Sequence, residues 1–131
     1  MILVDTSILI DFFKGNINEG SNKFEAVLHK GIPFGINSII FQEVLQGANS
    51  EKEYKLLKDY LAKQLFYNPK DAVESFAEAA KIYFDCRKAG ITIRSTIDCI
   101  IAQTALEHDL MLLHNDRDFH AMTKVVPLKF F

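Results

Sequence analysis

Short apolar runs, too brief to be helices, recur along this chain between segments of helical length, and that alternation restricts the fold more than any other feature. "ILVD" at the start is β-branched and reads as a fully buried strand. "PFGIN", "LFYN", "LMLLH" and "KVVPLKF" are further runs of the same kind. Between them, "TSILIDFFKG" predicts a helix with Thr6 or Ser7 at its N-cap and Gly15 near its C-cap. A second helix spans about 21–30 and ends at Gly31, and a third, "IIFQEVLQGA", is capped by Asn37 or Ser38. "SEKEYKLLKDYLAKQ" sets Tyr54, Leu57 and Leu61 on one stripe beneath a charged face. A long amphipathic helix follows at about 71–88, with Val73, Phe76, Ala77, Ala80 and Phe84 inward and Gly90 as its stop. A helix at about 95–108 and a short one after "NDRDF" complete the pattern. Strands separated by helices predict an α/β fold, a three-layer sandwich with a mainly parallel central sheet flanked by helices. At 131 residues and 49% hydrophobic content the chain is expected to form one domain, 1–131, with a real core.

Parallel sheets of this kind place their ligand site at the carboxyl ends of the strands. Asp5 closes the first strand, where a carboxylate among Ile2, Leu3, Val4, Ile8 and Leu9 is costly without compensation. Asp116 closely follows "LMLLH", Glu43 lies inside an otherwise apolar helix, and Asp98 comes early in a later one. Asp118 is a possible fifth acid. Each has a plain structural reading. Asp5 suits a turn, Glu43 a solvated helix face, Asp98 a capping box with Ser95, and Asp116 with Asp118 an ordinary turn into a helix.

Their joint placement points elsewhere. Two acids sit at strand ends and two on helices able to pack beside them. The helix N-terminus is expected to keep Asp98 ionised. Several carboxylates in one cleft raise one another's pKa, a penalty that a bound divalent cation removes. Oxygen ligands without a Cys or His cluster suit Mg²⁺ or Mn²⁺, and such a site suits phosphodiester hydrolysis.

Charge and composition narrow the classes. A formal net charge of -2 argues against a protein that holds nucleic acid by its overall field, but not against an enzyme whose acids are neutralised by metal. Cys86 and Cys99 fit no metal-binding spacing, and Cys99 is expected to be a buried free thiol. Neither a signal peptide nor a membrane-spanning run is legible, so a cytoplasmic protein without membrane contact is expected.

The order of motifs resembles the PIN-domain ribonucleases, in particular the VapC-type toxins of toxin–antitoxin pairs, over almost the whole chain. "ILVDTSILID" is similar to the family's first strand and helix, with the acid at Asp5 and hydroxyls at Thr6 and Ser7. "INSIIFQEVLQGA" resembles its second motif, at Glu43 and Gly47, and "TIDCIIAQTALEHDLMLLHNDRDF" resembles the third and fourth, at Asp98 and Asp116. The resemblance implies a PIN-like fold and a Mg²⁺- or Mn²⁺-dependent endoribonuclease that forms a homodimer and is blocked by an antitoxin. It implies that Asp5, Glu43, Asp98 and Asp116 carry the metal, with Asp118 secondary and Thr6 or Ser7 orienting the carboxylates or a water. It further implies in-line attack of a metal-activated water on phosphorus, leaving a 5′-phosphate and a 3′-hydroxyl. Where relatives often carry threonine this chain has His114, either a polar strand-end residue or a group near the phosphate or water.

Arg94 and Arg117 are candidates to reach a phosphate, and Lys14, Arg87 and Lys88 to extend a basic rim or simply to solvate the surface. No aromatic platform for RNA bases is legible. Two other readings stand beside the nuclease. An aspartate-based phosphatase or phosphotransfer domain would use Asp5 as nucleophile, yet such phosphatases want a second acid where this chain has Ser7. A catalytically inactive PIN-like protein-binding domain would be expected to have lost one of the four acids, and all four are present.

Overall fold

No two consecutive strands are joined by a chain short enough for a hairpin, so neighbours in the sheet run parallel with helical crossovers. The computed structural model describes residues 1–131 and gives the order β1 (Ile2–Val4), α1 (Thr6–Phe13), α2 (Glu19–His29), β2 (Phe34–Ile36), α3 (Ser38–Gln46), α4 (Glu51–Leu61), β3 (Leu65–Phe66), α5 (Glu74–Lys88), α6 (Thr96–Glu107), β4 (Met111–Leu113), α7 (Arg117–Met122) and β5 (Lys129–Phe130). The strands lie in the order β3-β2-β1-β4-β5, and every ladder is parallel. β1 is central, with Ile2 facing Phe34 on one side and Met111 on the other. All three of its side chains are buried, as a strand covered on both faces requires. The seven helices flank this sheet, α1 packing on α2 and α3 while α5 packs along α6. Ile8, Leu9, Phe24, Ile36, Ile101 and Leu112 join β1 in the core, and both cysteines are buried free thiols.

Local chemistry sets the helix ends. Asp5, rather than Thr6 or Ser7, is the N-cap of α1. A carboxylate is as good a cap as a hydroxyl, and it lies one residue nearer the strand. Asn18 and Ser21 form a reciprocal capping box, so α2 begins earlier than its hydrophobic pattern suggests. Asn37 caps α3 through Ile40 N–H. Gly31, at φ +63°, ends α2 in the left-handed region that favours glycine. Gly20, in the first turn of α2, allows that helix to approach Asn115. A Cβ there would collide with Asn115 Oδ1 and lie 2.5 Å from Ile8 Cδ1.

Two predicted stripes differ from the fold. In α4, Leu57 and Leu61 are buried but Tyr54 stands out in solvent. In α5 the inner face is Ser75, Ala79, Ile82 and Cys86. Val73, Phe76, Ala77, Ala80 and Phe84 are exposed instead, Val73 at 74%. The helix carries apolar residues on two sides, and α6 covers the side of Ala79, Ile82 and Cys86. The uncovered side borders an apolar cavity of about 390 Å³ between α5 and α6, lined in part by Phe76, Ala80, Tyr83 and Ile97.

Candidate active site

The carboxyl edge of the sheet collects acids from four separate stretches of chain. Asp5 follows β1 directly, and its N–H continues the ladder to Leu113 C=O at 2.9 Å. Its side chain then turns back over the start of α1, where Oδ2 accepts from Ser7 N–H at 3.1 Å and from Ser7 Oγ–H at 2.6 Å. The residue is only 4% exposed. Burial pushes its carboxyl up to about 6, against the lowering effect of the Ser7 hydrogen bonds and with a further rise from the Glu43 charge.

Ser95 caps α6 through Ile97 N–H, so Asp98 is not consumed in a reciprocal cap. Asp98 is half-buried in the cleft. Burial, then the charges of Asp5, Asp116 and Asp118, drive its carboxyl up to about 7. Without a cation, the helix N-terminus alone does not offset that rise. A partial positive charge at a helix end offsets about 1 kcal/mol, less than burial beside three like charges costs.

Asp116 caps α7, its Oδ1 accepting from Asp118 N–H at 2.9 Å. Arg94 ties both acids together, donating from Nη2 to Asp116 Oδ1 at 2.9 Å and from Nε to Asp118 Oδ2 at 3.1 Å. Its backbone N–H also donates to Asp118 Oδ2. Burial would raise the Asp118 carboxyl, but these bonds and the guanidinium charge hold it below the usual range. Ligand oxygens of Asp98, Asp116 and Asp118 lie within 4.8 Å of one another.

The set brought together thus differs in rank from the sequence reading. Asp118, secondary there, is one of the three converging acids. Glu43 lies outside that trio and accepts from Thr6 Oγ1–H at 2.7 Å. The adjacent hydroxyls of Thr6 and Ser7 therefore serve different acids. Arg94, a candidate to reach a phosphate, is paired with the Asp116 and Asp118 carboxylates. Arg117, the first residue of α7, is exposed and Lys14 caps the C-terminal end of α1. Arg87 and Lys88 stand around the Phe84 ring on α5.

His114 proves to be a site-edge group. Its Nδ1 accepts from Asp116 N–H at 3.0 Å, and burial, followed by the nearby His120, lowers its pKa to about 4. The neighbouring Asn115 N–H donates to Ser7 Oγ, so a relay runs from Asn115 through Ser7 to Asp5. Sequence reasoning missed Asn115. Its only signal is its place in "HNDRD" after a buried strand.

The PIN domain family model matches residues 2–125. VapC ribonuclease Mb1587 of Mycobacterium bovis is 30% identical over 130 residues, covering 98% of this chain and 96% of that protein. Ribonuclease VapC11 of Mycobacterium tuberculosis matches with the same identity and coverage, 30% over 130 residues. Among solved structures, VapBC2 of Rickettsia felis bound to a promoter DNA fragment superposes with a TM-score of 0.73 at 18% identity, covering 100% of this chain and 98% of that one. VapBC-1 of nontypeable Haemophilus influenzae gives 0.72 at 21% identity, covering 100% and 97%. FitAcB of Neisseria gonorrhoeae gives 0.70 at 20% identity, covering 100% and 96%. With the strand order, the acids at the carboxyl edge and the match over nearly every residue agreeing, this chain belongs to the PIN-domain family, among the VapC ribonucleases.

Proposed function

We propose that this protein is a Mg²⁺- or Mn²⁺-dependent endoribonuclease, the toxin of a toxin–antitoxin pair. The observation that carries the metal dependence is the convergence of Asp98, Asp116 and Asp118 within 4.8 Å, with Asp5 buried beside them. Asp5 and Asp98, pushed up to about 6 and about 7, are carboxylates short of positive charge, and Arg94 balances only the Asp116–Asp118 side. An all-oxygen donor set of this kind fits a hard divalent cation.

Asp5, Asp98, Asp116 and Asp118 would hold the cation, with Glu43 acting directly or through water. Once bound, a divalent cation offsets the carboxylate charges, draws in a phosphodiester and makes water a competent nucleophile. The chain's own residues supply placement. Ser7 fixes the Asp5 carboxylate with two donated bonds, Thr6 fixes Glu43, and Arg94 locks Asp116 and Asp118 in register. Asp5, 4% exposed and held by Ser7, is poorly placed as a covalent nucleophile, which disfavours the phosphatase reading.

The partners follow from the relatives. The solved VapBC and FitAcB structures, and a toxin–antitoxin complex from Klebsiella pneumoniae that superposes at a TM-score of 0.69, support a cognate antitoxin. The uncovered apolar face of α5 supports a homodimer, since contiguous exposed apolar surface marks association. No helix is long and apolar enough to cross a membrane, and we assign the protein to the cytoplasm with residues 1–131 as one PIN domain.

The test is cleavage of mixed single-stranded RNA by the purified protein with Mn²⁺ or Mg²⁺, and again with excess chelator. Metal-dependent cleavage that disappears in Asp98→Asn and Asp5→Asn supports the reading. A folded wild type that neither binds Mn²⁺ nor cuts RNA refutes it.

A further inference from the structure

A second cavity, of about 220 Å³, opens beside the acids between α2, β5 and the chain leaving β4. Its walls include the aromatic rings of His114, His120 and Phe130. The His114 ring centroid lies 4.8 Å from that of His120 and 4.7 Å from that of Phe130, and His120 and Phe130 are 4.4 Å apart. The ladder from β4 to β5 and the first turn of α7 bring them together, which is why no platform is legible in the sequence.

The polar groups are as specific. Because His114 Nδ1 accepts the Asp116 N–H, its ring is neutral with the proton on Nε2, and no protein group accepts from that Nε2–H. At the mouth, Lys23 Nζ pairs with Glu19 at 3.4 Å and donates to Phe131 C=O at 3.2 Å, so the charges there are already balanced. The cavity therefore offers aromatic walls and imidazole N–H donors beside a mouth whose Lys23 is already paired. A flat, uncharged heterocycle with an acceptor on its edge fits that description. His114 and Asn115 line the cavity, and the next residue, Asp116, belongs to the acid centre.

We propose that this cavity is a nucleobase subsite, receiving an unpaired base next to the scissile phosphodiester, with His114 Nε2–H as reading donor and the rings of His120 and Phe130 as its walls. The inference rests on the ribonuclease reading and deepens it. Sequence-specific recognition of RNA commonly works on splayed single-stranded bases held against aromatic or histidine rings. His114 acts here on the base and also positions Asp116, through the N–H it accepts.

The experiment titrates adenosine, guanosine, cytidine, uridine and, as control, ribose into the full-length protein with chelator present. The imidazole C–H resonances are followed by NMR. The expected result is that at least one nucleoside shifts His114 and His120 but not His29 or His108, while ribose shifts none. His120 is exposed, so His120→Ala leaves the fold intact and should weaken that nucleoside about five-fold or more. In the same variant, cleavage sites in an RNA pool should lose base discrimination at one position adjoining the cut. Phe130→Leu provides a second variant, expected to weaken the same nucleoside. If no nucleoside moves the two histidines, or ribose moves them equally, the subsite is wrong. If the wild type cuts RNA and His120→Ala keeps its base preference, the subsite again falls while the nuclease reading stands. If nucleosides bind as expected but no metal-dependent cleavage occurs, the cavity stands as a nucleoside site and the nuclease reading falls.

Discussion

Replacing Asp5 with asparagine should make the metal-free protein more stable, and only above the acid range. In the fold the Asp5 carboxyl is pushed from 3.8 to about 6, chiefly by burial, so ionising it costs the folded state more than the unfolded chain. A raised acid pKa means that stability is intact below the unfolded value and is lost as pH rises through the folded one. The loss therefore builds between about pH 4 and pH 6 and is constant above. At 1.36 kcal/mol per unit the full penalty is roughly 3 kcal/mol at pH 7.5, against under about 1 kcal/mol at pH 4. The asparagine amide keeps an oxygen able to accept both Ser7 bonds, so the cap of α1 survives the change. For a chain of this length 1 kcal/mol corresponds to about 3–4 °C, and the variant should melt about 9–12 °C above wild type at pH 7.5. At pH 4 the gain should shrink to about a degree or two. The assay is a thermal melt of both proteins in chelator at the two pH values, repeated with saturating Mn²⁺. Mn²⁺ should close or reverse the gap at pH 7.5, because the wild type gains binding energy that the variant lacks. A variant less stable than wild type at both pH values, or equally stabilised at both, would refute the argument that Asp5 is an ion kept in reserve for a cation.

Thr6→Val removes the donor to Glu43 and should lower kcat/KM for RNA about 10-fold with little change in melting temperature, while Thr6→Ser retains activity; steady-state cleavage assays separate the two. Gly20→Ala drives a methyl into Asn115 and Ile8 and should cost about 1–3 kcal/mol, measurable as a lower midpoint in urea. Arg94→Met strips the buried Asp118 of its counter-charge. Since the Asp118 carboxyl is held low, that stability is present above the unfolded pKa and lost on acidification, so the melting temperature should fall more at pH 7 than at pH 3.

Much of this was legible because local patterns are strong here. The buried "ILV" strand, the glycine that ends α2 and the acid after β1 all announce themselves within a few residues. What stayed hidden depends on which surfaces meet. The apolar residues of α5 recur at helical spacing on two sides, and periodicity alone cannot tell which side α6 covers. Asp118 ranked low because "NDRDF" looks like any turn into a helix. Its burial and its grip on Arg94 arise only when residues 24 positions apart fold together. Glu43 stood level with the others for the opposite reason. Its motif is clear, but the side chain stops at Thr6, outside the trio of converging oxygens.

The placement of β4 beside β1 has a temporal meaning. Asp5 is made well before its neighbouring ladder and two of the three converging acids, which belong to residues 111–118. At ribosomal speeds of about 5–20 residues per second, Asp5 waits on the order of ten seconds for them. Throughout that interval the nascent chain has its first acid and its hydroxyl pair yet nothing that can assemble a cleft. The acid centre of this topology is therefore complete only once β4 and the first turn of α7 have been made, and no earlier part of the chain can do its work alone.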